Sequence, residues 1–306
     1  MARPVSVRIN DYMLNILNIV LPTFIVILVG FLLGKVKRLD MSVVVEVLYW
    51  IGIPALAFTA MISKQIVLLE ASKVWASALL IMAGTGAVAW VVFKLAHMKH
   101  SGLYVPIIIL NAVNIPFPVM QMAYGQEGLL NATLFYIPVT ILSFSAGIMI
   151  LSRSNWRDGI KETAKVPALY GAILGLAVNL LHVKIPDLVI QPLNTIGAMV
   201  IPLTLLVLGH RLSSVRITDV PATMLASVMR VGVGLGMGLI AVTALGLSGV
   251  SRSAVILDSA MPSAANTSIL AMKYHNEAEL VASVVFVTTV ASLLIIPLLL
   301  YMLGWR

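Results

Sequence analysis

The stretch NAVNIPFPVMQMAYGQEG, Asn111 to Gly128, decides how this chain folds. It continues the apolar run GLYVPIIIL, which reads as the start of a membrane-spanning helix. Two asparagines and two prolines then arrive where the bilayer centre falls. Proline removes a backbone donor and clashes with the preceding turn, so a helix there must kink or open. Backbone groups freed in this way cannot face lipid. They have to be buried in protein or line a wet cavity.

The rest of the chain sets that stretch in a membrane. Of 306 residues, 60% are apolar and 10% are charged, against roughly a quarter charged in soluble domains. Mean hydropathy is +1.04. The composition is that of an all-α integral membrane protein whose charges sit mainly in loops. There is no cysteine, which excludes disulfides and thiolate metal sites. The net charge of +8 is read as loop lysines and arginines that fix topology, and nucleic-acid binding is not expected. The run 13–34 is longer than the apolar core of a signal peptide and ends in GKVKRLD, so it reads as a retained span.

Ten runs approach the roughly 20 residues that a ~30 Å hydrocarbon core requires. They cover 13–34, 42–62, 72–95, 103–124, 129–151, 166–183, 187–209, 221–246, 250–273 and 279–303. Loops after the odd-numbered spans carry twelve Lys and Arg, and the opposite side carries seven, from Arg3 and Arg8 to Arg306. The positive-inside rule then places both termini outside a cell membrane crossed many times. Trp75 and Trp305 fall near span ends, where interfacial anchors belong. The basic segment 152–165, which contains Arg153 and Arg157, reads as a cytoplasmic linker between two five-span halves, 1–151 and 166–306. Five-span halves insert in opposite orientations, so internal similarity means an inverted repeat. Traces of one exist. Ile53-Pro54 in span 2 and Ile201-Pro202 in span 7 place their prolines 148 positions apart, and Pro116 in span 4 and Pro262 in span 9 are 146 apart.

Spans 4 and 9 are therefore expected to be broken, and amides and hydroxyls cluster at their breaks: Asn111, Asn114, Gln121, Ser263, Asn266 and Thr267. An opened helix exposes a half-helix N-terminus, whose free N–H groups and dipole attract anions. Paired broken helices near the midplane are the strongest sequence pointer to a transporter's binding site. Ordinary proline kinks with interhelical amide bonds are the plainer alternative.

These residues carry a resemblance. The chain resembles the auxin efflux carrier family, which includes plant PIN carriers and short-loop prokaryotic permeases. In span 4, Asn111 precedes Pro118 by seven residues, then come AYG ending at Gly125 and EGL. Span 9 carries MPSAANTSILAMKY, span 7 IPLTLLVLGHRL and span 2 IPAL. The chain lacks the long central loop of the plant carriers, and Thr267 stands where they place a second proline. The resemblance implies ten transmembrane helices as two inverted five-helix repeats, related to the sodium/proton antiporter and bile-acid carrier folds. Helices 4 and 9 would cross as broken helices. Helices 1, 2, 6 and 7 would form a scaffold, and helices 3–5 and 8–10 a transport domain. It also implies a small organic anion substrate met at Asn111, Pro118, Pro262 and Asn266, elevator-type alternating access, and a homodimer through the scaffold.

Two charges lie inside spans, Arg230 in span 8 and Asp258 in span 9. At ~1.5 Å per residue their depths differ by only a few ångströms. Intramembrane charges are functional or paired. Asp258 either takes a coupling proton or cation, with Arg230 tuning it, or the two form a structural ion pair. No cofactor is expected beyond such a proton or sodium ion. Glu46 is placed to pair with Lys35, Lys37 or Arg38 at the interface. Gly232, Gly234, Gly236 and Gly238, like Gly171 and Gly175, form small-xxx-small patterns for close helix packing. His97 and His100 read as solvated loop residues. No HExxH, GxSxG or GxxxxGKS motif occurs, so no enzyme is expected. The competing functions are a sodium-coupled symporter of the bile-acid type and a non-transporting membrane sensor.

Overall fold

The computed structural model describes residues 5–37, 39–152 and 156–304. Arg3, Arg38, Arg153, Trp305 and Arg306 lie outside them. Among the described residues the chain is helical, and its strand-like pairing is confined to one isolated bridge. In chain order the helices are α1 Val5–Val36, α2 Ser42–Val47, α3 Ile53–Ile62, α4 Leu68–Leu95, α5 Tyr104–Ile108, α6 Pro116–Ser152, α7 Trp156–Thr163, α8 Pro167–Leu180, α9 Asp187–Ala198, α10 Val200–Leu212, α11 Val220–Val228, α12 Gly234–Ala244, α13 Gly249–Ser259, α14 Asn266–Lys273 and α15 Ala278–Met302. Seven helical segments among the described residues are long and apolar enough to cross a membrane, and α8 is a shorter apolar helix.

The irregularities follow from particular residues. Pro54 cannot donate to the Trp50 carbonyl, and a π-turn over Leu48–Gly52 joins α2 to α3. Pro202 likewise cannot donate to the Ala198 carbonyl, and α9 ends at Ala198. A second π-turn, Met229–Val233, joins α11 to α12. Within α6, Gly125 has φ 61° and ψ −145°, a conformation essentially restricted to glycine. The expected boundary between spans 4 and 5 is therefore a one-residue break in a continuous helical run.

Several expectations are corrected. The third helix starts at Leu68, which places Trp75 in its second turn, where it packs against the core with its indole nitrogen buried and unbonded. Trp75 is thus partly buried against the core one turn further into its helix than the sequence reading places it. The segment read as a linker contains α7. Glu46 is exposed and pairs with neither Lys35 nor Lys37.

Burial locates the centre of the molecule. The apolar window of α6 is 72% buried within the protein, against 33% for α1, so α6 is interior and α1 presents Leu14, Ile25, Leu28 and Leu32 outward. Helix α1 packs along α10, and α3 packs along α8 and α9. Glycines make these approaches close. A methyl at Gly30 would overlap the Leu206 carbonyl, one at Gly171 the Pro54 carbonyl, and one at Gly209 the Ile27 carbonyl. Of the alternate glycines in span 8, Gly234 and Gly238 face α13, whereas Gly232 and Gly236 face open space. Because the atoms opposite Gly209 are backbone and cannot rotate away, Gly209→Ala is expected to cost about 1–3 kcal/mol. The loss would be read as a lower unfolding midpoint of the purified protein, and an unchanged midpoint would show that α1 and α10 separate at no cost.

Candidate functional site

Spans 4 and 9 are both interrupted. Between α5 and α6 the chain leaves the helix over 109–115, and between α13 and α14 over 260–265. The two interruptions run antiparallel and bond to each other. The Asn111 N–H donates to the Pro262 carbonyl at 2.7 Å, and the Ala264 N–H donates to the Ile109 carbonyl at 3.1 Å. These bonds flank the bridge between Leu110 and Ser263. The Ser263 N–H donates to Thr288 Oγ1 on α15 at 3.1 Å. Extended backbone at membrane depth is thereby satisfied within the protein.

Each break creates one helix C-terminus and one N-terminus, and the structure treats the two kinds of end differently. The C-termini of α5 and α13 are met by Arg230, which is fully buried in the π-turn. Its Nη1 donates to the carbonyls of Ile107 at 2.8 Å and Ile108 at 3.2 Å, and its Nη2 donates to the Ser259 carbonyl at 2.7 Å. One guanidinium thus caps orphan carbonyls on two half-helices and opposes both negative dipole ends. Gly234 makes room for it, because a methyl there would overlap Nη2 and the Ser259 carbonyl.

Asp258 precedes Ser259 and is 1% exposed, yet neither carboxylate oxygen has a hydrogen-bond partner. Arg230 is spent on carbonyls and does not bond to it. The ion pair considered from their similar depths is therefore not formed.

The N-termini of α6 and α14 instead open on a cavity of about 220 Å³. Asn111, Asn114 and Asn266 line it. Asn111 Oδ1 accepts from the N–H groups of Val113 at 3.3 Å and Asn114 at 3.0 Å, which turns the chain into α6. Its Nδ2 is left without a partner in a residue only 3% exposed. Asn266 Oδ1 is also buried and unbonded.

The other expected residues divide. Pro262 and Ser263 build the crossing itself, and the Ser263 hydroxyl is buried without a partner. Thr267 Oγ1 donates to the Ala264 carbonyl at 2.6 Å, a bond within the first turn of α14, and Thr267 does not line the cavity. Pro118 sits inside the first turn of α6, where its missing N–H has no cost, and lies off the cavity wall, as does Gln121. Tyr49, Tyr136, Thr140, Ser143, Thr204 and Arg211 also line the cavity and were not anticipated. None belongs to a broken span, and no local pattern marks them. Only the IPLTLLVLGHRL block could have drawn attention to Arg211.

At one end of the molecule three connections are tied together. His100 Nδ1 bonds to Glu277 Oε1, its Nε2 is 3.7 Å from Asp219 Oδ2, and the Gly102 N–H donates to Glu277 Oε2 at 2.9 Å. His97 is exposed, but His100 is not the solvated residue expected. Glu277→Ala removes two of these bonds and is expected to cost about 1–3 kcal/mol, measured as a lower unfolding midpoint. An unchanged midpoint would mean the tie is replaced by water without loss.

Crossed, broken helices inside a bundle of apolar helices define a multi-pass membrane protein of the transporter class. The chain belongs to the membrane transport protein family, the auxin efflux carrier-like family, whose profile matches residues 15–300. It is 26% identical over 299 residues to an uncharacterized transporter of Methanocaldococcus jannaschii, covering 92% of this chain and 97% of that one. It is 28% identical over 303 residues to an uncharacterized transporter of Methanothermobacter thermautotrophicus, covering 91% of this chain and 95% of that one.

Proposed function

We propose that this membrane transporter carries a small organic anion, a carboxylate, through a site at the crossing of its broken helices, by elevator-type alternating access. One observation carries the proposal. The C-terminal helix ends at the crossing are capped by Arg230, while both N-terminal ends open on a cavity beside the unpartnered Asn111 Nδ2. Such ends, together with a buried free donor, favour an anion.

The accompanying architecture is ten spans in two inverted repeats, 1–151 and 166–306, joined by 152–165. Ten crossings result if α5 with α6 up to the Gly125 break is one span, the rest of α6 the next, and α13 with α14 the ninth. The matched interruptions of spans 4 and 9 and the matched effects of Pro54 and Pro202 favour the repeat. The close packing of α1 on α10 and of α3 on α8 and α9 is what a scaffold of helices 1, 2, 6 and 7 needs. Both termini lie outside the cell membrane, and scaffolds pair in a homodimer. Asp258 takes the coupling proton, because a buried carboxylate without a partner is costly unless it is used.

The test is flux of a panel of radiolabelled carboxylates in proteoliposomes, for wild type, Asn111→Ala and Asn266→Ala, with and without imposed proton and sodium gradients. The expected result is saturable wild-type flux, reduced roughly 10–100-fold in Asn111→Ala by loss of a buried donor to a charged ligand. Equal flux in folded variants moves the site away from the crossing.

A further inference from the structure

The crossing cavity is not the end of the route. A second cavity of about 550 Å³ lies against α10, α14 and α15. The two cavities share two wall residues, Arg211 and Ala265. Ala265 immediately precedes α14, so the shared wall stands at one of the two helix N-termini that open on the crossing. Arg211 is the single formally charged side chain among those lining the crossing cavity. The larger cavity adds Arg216 and Glu279, whose charges cancel.

Arg211 is half-buried in the last turn of α10 and, among the described residues, has neither a carboxylate partner nor a hydrogen bond from its guanidinium. The contrast with Arg230 is informative. The arginine at the helix C-termini gives both of its Nη groups to carbonyls, and the one beside the α14 N-terminus gives neither to the protein. A free guanidinium presents a planar fork that matches one carboxylate with two parallel bonds. The remaining wall is mainly apolar, with Tyr49, Tyr136 and Phe144 among its residues. A second carboxylate entering this cavity would meet no second cation and would lose its hydration without compensation.

We infer that Arg211 is a specificity-determining residue: it receives a singly charged, largely apolar carboxylate in the larger cavity, hands it to the crossing, and rejects dianions and neutral analogues. This rests on the crossing being the transport site.

The experiment separates the two. Purified protein is titrated at pH 7.5 with benzoate, phthalate and benzamide, which share a ring and differ in charge. Binding is read from the unfolding midpoint and from inhibition of radiolabelled benzoate flux in proteoliposomes. Wild type, Arg211→Gln, Arg211→Lys and Asn111→Ala are compared at equal folded amounts. The expected result is that wild type prefers benzoate to both analogues. Arg211→Gln weakens benzoate roughly 10–100-fold and erases its advantage over benzamide, and Arg211→Lys restores part of it. The ratio of benzoate to benzamide matters because a merely structural role for Arg211 would leave it unchanged. If Asn111→Ala loses benzoate while Arg211→Gln keeps the full ratio, the inference about Arg211 is overturned and the crossing site stands. If Asn111→Ala behaves as wild type, the crossing site fails and the inference with it. A wild type that favours phthalate, or responds to none of the three at millimolar concentration, overturns the monoanion assignment.

Discussion

Arg230→Gln is expected to lower stability by about 3–5 kcal/mol, the usual cost of leaving buried polar partners of a charge uncompensated. The substitution strips the Ile107, Ile108 and Ser259 carbonyls of the guanidinium that serves all three in the protein interior. Both half-helix C-termini then point unopposed negative ends at each other. Protein that still inserts is expected to show no flux, because the crossing positions the two helix N-termini at which the proposed anion would bind. Arg230→Lys tests whether charge alone suffices. A lysine is a compact point charge and cannot bridge carbonyls on two helices as the fork does. It is expected to recover part of the stability and little of the flux. The readouts are the unfolding midpoint in detergent and carboxylate flux in proteoliposomes. A lysine variant equal to wild type in both would mean that the dipole ends need only a nearby cation.

The second large effect concerns Asp258 and runs in the opposite direction for stability. Asp258→Asn removes a buried carboxylate that has no partner, so the folded protein should gain on the order of 1 kcal/mol. Flux, in contrast, should lose its response to an imposed pH difference, because the variant has no carboxylate to load and unload. A substitution that stabilises while removing coupling marks a residue retained for function rather than for the fold. Flux that follows pH as in wild type would end the coupling role of Asp258. A variant less stable than wild type would show that the carboxylate has a structural task.

The breaks in spans 4 and 9 were legible in the sequence because proline and asparagine have local consequences: Pro116 begins α6, and Asn111 turns the chain into it. The pairing of the two breaks was legible only as a matched spacing, since the bonds from Asn111 to Pro262 and from Ala264 to Ile109 join residues about half the chain apart. Arg230 stands out by its cost in a membrane, but the sequence leaves open whether it pairs with Asp258 and does not point to the carbonyls it meets. Depth along a helix says how far two residues lie from the surface and nothing about which way they face. The cavity wall was largely illegible. Tyr49, Thr140 and Thr204 come from three stretches outside the crossing whose apolar patterns do not mark which face meets the cavity. Arg211 was hidden by the rule that explains most of its neighbours, because a basic residue at a span end normally serves topology. The boundary between spans 4 and 5 was placed within a few residues but not its form, since a single glycine at a forbidden angle leaves no compositional trace beyond itself.

The pairing of Leu110 with Ser263 limits how the crossing can move. In extended backbone, neighbouring residues point to opposite sides, so a slip of one position turns every side chain over. Were one broken stretch to ratchet past the other by a single residue, the Asn111 amide would swing out of the cavity, and the bonds to Pro262 and Ala264 would have to break together. Partial slippage has no intermediate register in which to rest. The knot of four helix ends is therefore expected to move as one solid piece, and under the alternating access proposed above the yielding would fall at the perimeter of that piece and not at its heart.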